Sequence, residues 1–125
     1  MRAEIVTTGT ELLLGQIDDT NATYLARQLR DLGIDVFFRS TVGDNERRIA
    51  EVLEQALARA DLIITTGGLG PTVDDVTREA VARATGRPLV LHSDLLAQIE
   101  AFFARFGSVM NDNNRRQANL PEGCI

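Results

Sequence analysis

Three short runs in this chain end alike, on a β-branched residue followed at once by glycine. Thr7-Thr8-Gly9, Thr41-Val42-Gly43 and Thr65-Thr66-Gly67 close runs that begin near Ala3, Asp35 and Leu62. Each run is too short for a helix and reads as a strand. Leu62-Ile63-Ile64 is apolar throughout, the pattern of a strand buried on both faces. Between the runs the apolar period becomes helical. Ala22, Leu25, Ala26 and Leu29 form one stripe, with Gly33 placed to end the helix. Ile49, Val52, Leu53, Ala56, Leu57 and Ala60 form a second, longer stripe that Asp44 or Asn45 could cap. Strand-helix-strand-helix-strand succession makes parallel pairing with right-handed crossovers the economical topology, with helices on both faces of the sheet. The predicted class is α/β.

Beyond the third strand the spacing predicts a helix over Val76 to Ala84, stopped by Gly86 and Pro88, and a short extended piece at Leu89 to Leu91. Leu95, Leu96, Ile99, Phe102, Phe103 and Phe106 share a further helix, which concentrates three of the five phenylalanines, ordinarily core residues, on one face. Asn111 to Asn119 reads as a loop or short helix, and Pro121 to Ile125 as the approach to another strand. A length of 125 residues suits one domain, 1–125, and 44% hydrophobic residues supply enough apolar surface to fold it.

Residue inventory removes several chemistries. All 13 basic residues are arginine, so neither a P-loop lysine nor a Schiff-base lysine is available. One histidine, His92, and one cysteine, Cys124, are too few for a Cys/His zinc site or an internal disulfide. A net charge of −5 disfavours nucleic acid as a partner. No run approaches the roughly 20 apolar residues of a membrane span, and a cytoplasmic location is expected. Carboxylates, hydroxyls, amides, arginines and backbone remain, a set suited to phosphates and hard cations.

In open α/β sheets ligands bind beyond the carboxyl ends of the strands, where all three glycine junctions fall. Glycine lets backbone N–H groups approach an anion closely. Tight turns need glycine with or without a ligand, yet Gly67, Gly68 and Gly70 with Pro71 exceed what one turn requires. Leu69 and Thr72 complete this cradle, and Gly9 and Thr10 lie on the same rim. Asp74 and Asp75 suit either a helix cap or, beside a phosphate, a divalent cation bridging carboxylate and ligand. Asp44 and Glu11 occupy neighbouring strand ends. Arg115 and Arg116 could grip phosphate in bidentate fashion or simply be solvated. His92 belongs to a helix start, and Cys124 has no supporting histidine in sequence.

The stretch Thr66-Gly67-Gly68-Leu69-Gly70-Pro71-Thr72-Val73-Asp74-Asp75-Val76-Thr77 closely resembles the signature of the CinA family, within the wider molybdopterin-binding (MoaB/MogA-like) fold. Gly9 to Gln16 with Thr20-Asn21, Val42-Gly43-Asp44-Asn45, Asn113 to Ala118 and Pro121-Glu122-Gly123 extend the resemblance over essentially the whole chain. It implies a three-layer α/β/α domain with a mostly parallel sheet, and a homo-oligomer. It also implies Mg²⁺-, Mn²⁺- or Co²⁺-dependent hydrolysis of ADP-ribose to AMP and ribose 5-phosphate. Asp44 and Asp75 match the catalytic pair. Asp44, Asp74, Asp75 and Glu11 match metal-proximal positions, and Gly9, Thr10, Asn21, Gly67, Gly68, Leu69, Gly70, Thr72 and Arg115 match ligand-proximal ones. The chain stops before the Gly-Thr-Ala-Pro-Gly segment the family carries next, so the domain is expected to be incomplete at its C-terminal end. Two other readings stand beside hydrolysis: a non-catalytic molybdopterin- or nucleotide-binding module, and a protein-interaction domain in competence or DNA-damage response.

Overall fold

The computed structural model describes residues 1–125. Strand β1 (Arg2–Thr8) lies at the centre of a three-stranded sheet, flanked by β2 (Asp35–Val42) and β3 (Leu62–Thr66), both parallel to it. Helix α2 (Thr20–Asp31) covers one face, while α3 (Glu46–Arg59) and α4 (Thr77–Thr85) cover the other. The three-layer α/β arrangement matches the expectation. Alternation along β1 explains the division: Ala3 and Ile5 pack with Ala22 and Leu29, whereas Val6 packs with Ile49, Leu53 and Ala80. Burying side chains the size of Ile5 and Ile49 stabilises the fold by about 1.5–3 kcal/mol each.

Caps set the helix ends. Asp19 accepts the Ala22 N–H at 2.9 Å to start α2, and Asn45, not Asp44, accepts the Arg48 N–H at 3.0 Å to start α3. Helix α4 begins after Val76 with no side-chain cap and stops at Gly86, whose left-handed φ of 65° is the usual C-terminal signal. Neither Asp74 nor Asp75 caps it.

Three expectations are corrected. Every residue of β3 is only half-buried, because it forms an edge of the sheet and not an interior strand. Helix α5 (Ser93–Arg105) forms where predicted but buries no residue, and Phe102 and Phe106 are exposed. The C-terminal strand also comes earlier than expected: β5 (Asn119–Pro121) pairs antiparallel with β4 (Leu89–Leu91), making a separate two-stranded unit that carries α5 and the short α6 (Asp112–Arg116).

Glu4 stands out in β1, a carboxylate fully buried between Ala3 and Ile5. Arg59 grips it through two hydrogen bonds, at 2.7 and 2.8 Å, and the Ser40 hydroxyl donates a third at 3.0 Å. The Arg59 guanidinium also lies 3.7 Å from the centre of the Phe38 ring. Arg59 holds the Glu4 carboxyl below its ordinary value; burial opposes this, and Ser40 reinforces it.

Candidate functional site

The carboxyl ends of the three parallel strands meet at one rim, tied by backbone and hydroxyl bonds. The Gly9 N–H donates to the Val42 carbonyl at 2.9 Å, joining the ends of β1 and β2. Thr10 and Asp44 then exchange bonds: the Thr10 N–H reaches Asp44 Oδ2 at 3.2 Å, and the Asp44 N–H reaches Thr10 Oγ1 at 3.1 Å. Helix α1 (Thr10–Leu13), one turn long, follows at once, and Glu11 folds back over Gly9. Asn21 is exposed in the first turn of α2.

Between β1 and β3 the ties are hydroxyls. Thr8 Oγ1 donates to the Thr66 carbonyl at 3.3 Å and lies 3.2 Å from Thr77 Oγ1, which donates to the Gly67 carbonyl at 2.8 Å. Gly67 and Gly68 have φ of 91° and 67°, and a Cβ on either would collide with Thr8 or Thr77. Both glycines are therefore demanded by the turn itself, and the cradle reading must rest on where the N–H groups go. The Gly68, Leu69, Val73 and Val76 N–H groups meet no acceptor within the protein.

Asp75 braces the loop. Its Oδ2 accepts the Thr72 N–H at 2.9 Å and the Thr72 hydroxyl at 2.7 Å. The Thr72 hydroxyl holds this carboxyl below the usual range against the opposing effect of partial burial; backbone N–H groups of Thr72 and Gly70 and the charge of Arg78 add to the lowering. Asp74 is exposed. In the free chain no three His, Cys, Asp or Glu side chains converge as a metal cluster, so Asp44, Asp74, Asp75 and Glu11 do not form a preassembled cation site.

Behind the loop lie two arginines. Arg78, on α4 and buried, donates to the Leu69 carbonyl at 2.8 Å and the Gly70 carbonyl at 3.3 Å. Arg116, on α6, donates through one nitrogen to the Thr72 and Asp75 carbonyls at 2.8 and 2.7 Å. Gln117 adds a bond to Leu69 at 3.3 Å. Burial pushes the Arg78 guanidinium below its ordinary pKa, with Arg116 adding to the effect and Glu79 and Asp75 opposing it. Arg115 turns away, its nearest carboxylate being Glu100 at 3.9 Å. Sequence reasoning passed over Thr8, Thr77 and Arg78; the threonine of the quoted Asp-Val-Thr stretch was a signal for Thr77, and nothing flagged Arg78. Cys124 does meet a histidine: its sulfur is 3.7 Å from His92 Nε2, across the β4–β5 unit.

Two open concavities of about 550 Å³ each lie on the α2 side, one lined by residues including Ala26, Arg30 and Phe37, the other by Asp18, Asp19, Tyr24, Arg27 and Arg39. Neither includes the glycine loop.

The parallel three-layer α/β domain superposes on solved MoaB and MogA structures and so falls in the MoaB/MogA class of fold. The family described as "Probable molybdopterin binding domain" matches residues 4–121. A CinA protein of unknown function from Thermoplasma acidophilum superposes with a TM-score of 0.91 at 32% identity, over 99% of this chain and 72% of its own. The molybdopterin biosynthesis enzyme MoaB of Thermus thermophilus superposes with a TM-score of 0.64 at 28% identity, over 81% of this chain and 62% of its own. A protein of Symbiobacterium thermophilum named for competence-damage induction is 59% identical over 99% of this chain, which spans only 29% of that relative's length. The chain belongs to the molybdopterin-binding-domain family, and within it to the CinA group.

One expectation falls here. Metal-dependent hydrolysis of ADP-ribose is overturned as the leading reading, because the matching family and the MoaB neighbour are described by molybdopterin, and no comparison describes such a hydrolysis. The non-catalytic alternative fits better. No helix is long and apolar enough to cross a membrane.

Proposed function

We propose that this domain binds molybdopterin or a close pterin phosphate without transforming it, holding the phosphate on the glycine loop. The observation that carries the reading is the loop's division of labour: its carbonyls are taken up by Thr77, Arg78 and Arg116, while the N–H groups of Gly68, Leu69, Val73 and Val76 remain available to an anion. The described family supports the choice of ligand. A divalent cation would enter only with the ligand, bridging its phosphate to the exposed carboxylate of Asp74 or to Asp44. The cytoplasm is the compartment this reading implies, in keeping with a lone free cysteine.

The test is equilibrium binding of molybdopterin freed from a molybdoenzyme, followed by pterin fluorescence, with and without Mg²⁺. Saturable binding at micromolar concentration, lost in Gly68→Ala and unaccompanied by AMP release from ADP-ribose, is expected. Absence of saturable binding by the folded chain overturns the reading.

A further inference from the structure

We propose that Arg78 and Arg116 are the positioning residues of the glycine loop, gripping its carbonyls from behind so that the opposite N–H groups are held ready for an anion. The inference deepens the binding reading above and rests on it for the identity of the ligand.

A trans peptide places C=O and the following N–H on opposite sides of one plane. Fixing a carbonyl therefore fixes the direction of the next N–H. Arg116 holds the Thr72 and Asp75 carbonyls, at 2.8 and 2.7 Å, and so aims the N–H groups of Val73 and Val76 away from itself. Thr77 does the same for Gly68 by holding the Gly67 carbonyl. Arg78 holds Leu69 and Gly70; the N–H opposite Leu69 belongs to Gly70, on the side of Asp75, and the peptide after Gly70 has no N–H because Pro71 follows. The two arginines thus govern different halves of the loop: Arg78 its rigid base, Arg116 its donor-bearing tip.

Electrostatics fits a support role. The cluster contains two arginines and two carboxylates, Glu79 and Asp75, and so is neutral before any ligand arrives. Arg116 Nε lies 3.7 Å from Glu79 Oε1, while Arg78 Nε, Arg116 Nε and Glu79 Oε2 are buried without hydrogen-bond partners. Arg78 spreads two guanidinium nitrogens over two carbonyls, and Arg116 reaches both of its carbonyls through one nitrogen, Nη2. Arg116 also comes from α6, so the β4–β5 unit is attached to the loop through it.

The test compares the natural chain with Arg116→Gln, chosen because Arg116 is less buried than Arg78. In the free protein, backbone ¹⁵N order parameters for residues 73–76 are expected to fall from about 0.85 to below about 0.6 in the variant, and saturating molybdopterin is expected to restore them. Molybdopterin binding weakens roughly tenfold, as it must when only a fraction of the free loop is competent. Arg116→Met, which keeps the length of the stem but carries no donor, should behave like the glutamine variant, and it serves alone if that variant does not fold. Unchanged order parameters in the folded variant overturn the proposal. Should the natural chain bind no molybdopterin, the ligand reading fails, and the free-state order parameters still decide the positioning role by themselves.

Discussion

Residues before and after Gly86 use their apolar side chains in opposite ways. Before it, β1 and α3 bury residues as large as Ile5, Val6, Ile49 and Leu53; after it, Ala118 is the single buried hydrophobic residue, although Phe102, Phe103 and Phe106 are there. The difference comes from partners and not from composition. Helices α2 and α3 lie on a sheet that fills the space between them, whereas α5 is carried by a two-stranded unit too small to cover it. Hydrophobic spacing forms a helix in both halves, and only a facing layer turns its stripe into core.

Substitution breaks that comparison most sharply at Ile5. Ile5→Ala should lower stability by about 3 kcal/mol in urea unfolding, by the transfer and cavity terms of a closed core. Next comes Glu4→Ala, expected to cost about 2 kcal/mol, the scale of hydrogen bonds to a charged group. This contribution has a pH signature. Because Arg59 lowers the folded-state pKa of Glu4 from its ordinary 4.5, the stabilisation is complete above about that pH and is lost as pH falls through the lower, folded value. Glu4→Gln should remove that part of the acid-side slope, which unfolding curves between neutral and acid pH would reveal. Thr77→Val preserves shape but leaves the Gly67 carbonyl without its donor; about 1 kcal/mol is expected, with a loss of order at Gly68 visible by NMR. At the small end, Phe102→Ala should shift stability by less than about 0.5 kcal/mol. A loss as large as that of Ile5→Ala would show that the two halves share one packed interior after all.

The sequence made the first half of the chain legible because period and punctuation agreed there. Strands β1 and β2, helices α2 to α4 and the stop at Gly86 all sit close to their expected places. Burial was less legible. Leu62-Ile63-Ile64 has interior composition yet forms an edge, and no residue within the run reports how many neighbours the sheet supplies. At the rim, Gly67, Gly68 and Asp75 were visible as types, but the task of Asp75 was not. Cap and metal ligand were the two roles local sequence allowed, and the structure instead shows it bracing Thr72, three residues back. Arg78 escaped, and Arg116 was read as a phosphate grip or a solvated side chain, for a related reason: an arginine aimed at main-chain carbonyls leaves no partner side chain to read in sequence. The adjacent Arg115 has the same local signature and faces Glu100.

The collisions awaiting any side chain at the loop glycines carry a consequence for how this region can vary. Space for a Cβ at Gly67 is filled by Thr8, at Gly68 by Thr77 and at Gly70 by the Asp75 carboxylate, 2.6 Å away. At Gly70 the obstacle is a side chain, so a library randomising positions 70 and 75 together should recover an alanine at 70 paired with a shorter residue at 75. At Gly67 the obstacle includes the Thr8 backbone carbonyl, which no partner replacement removes. A double-mutant screen of the loop should therefore separate Gly70, which can be exchanged together with its partner, from Gly67, which no second mutation releases.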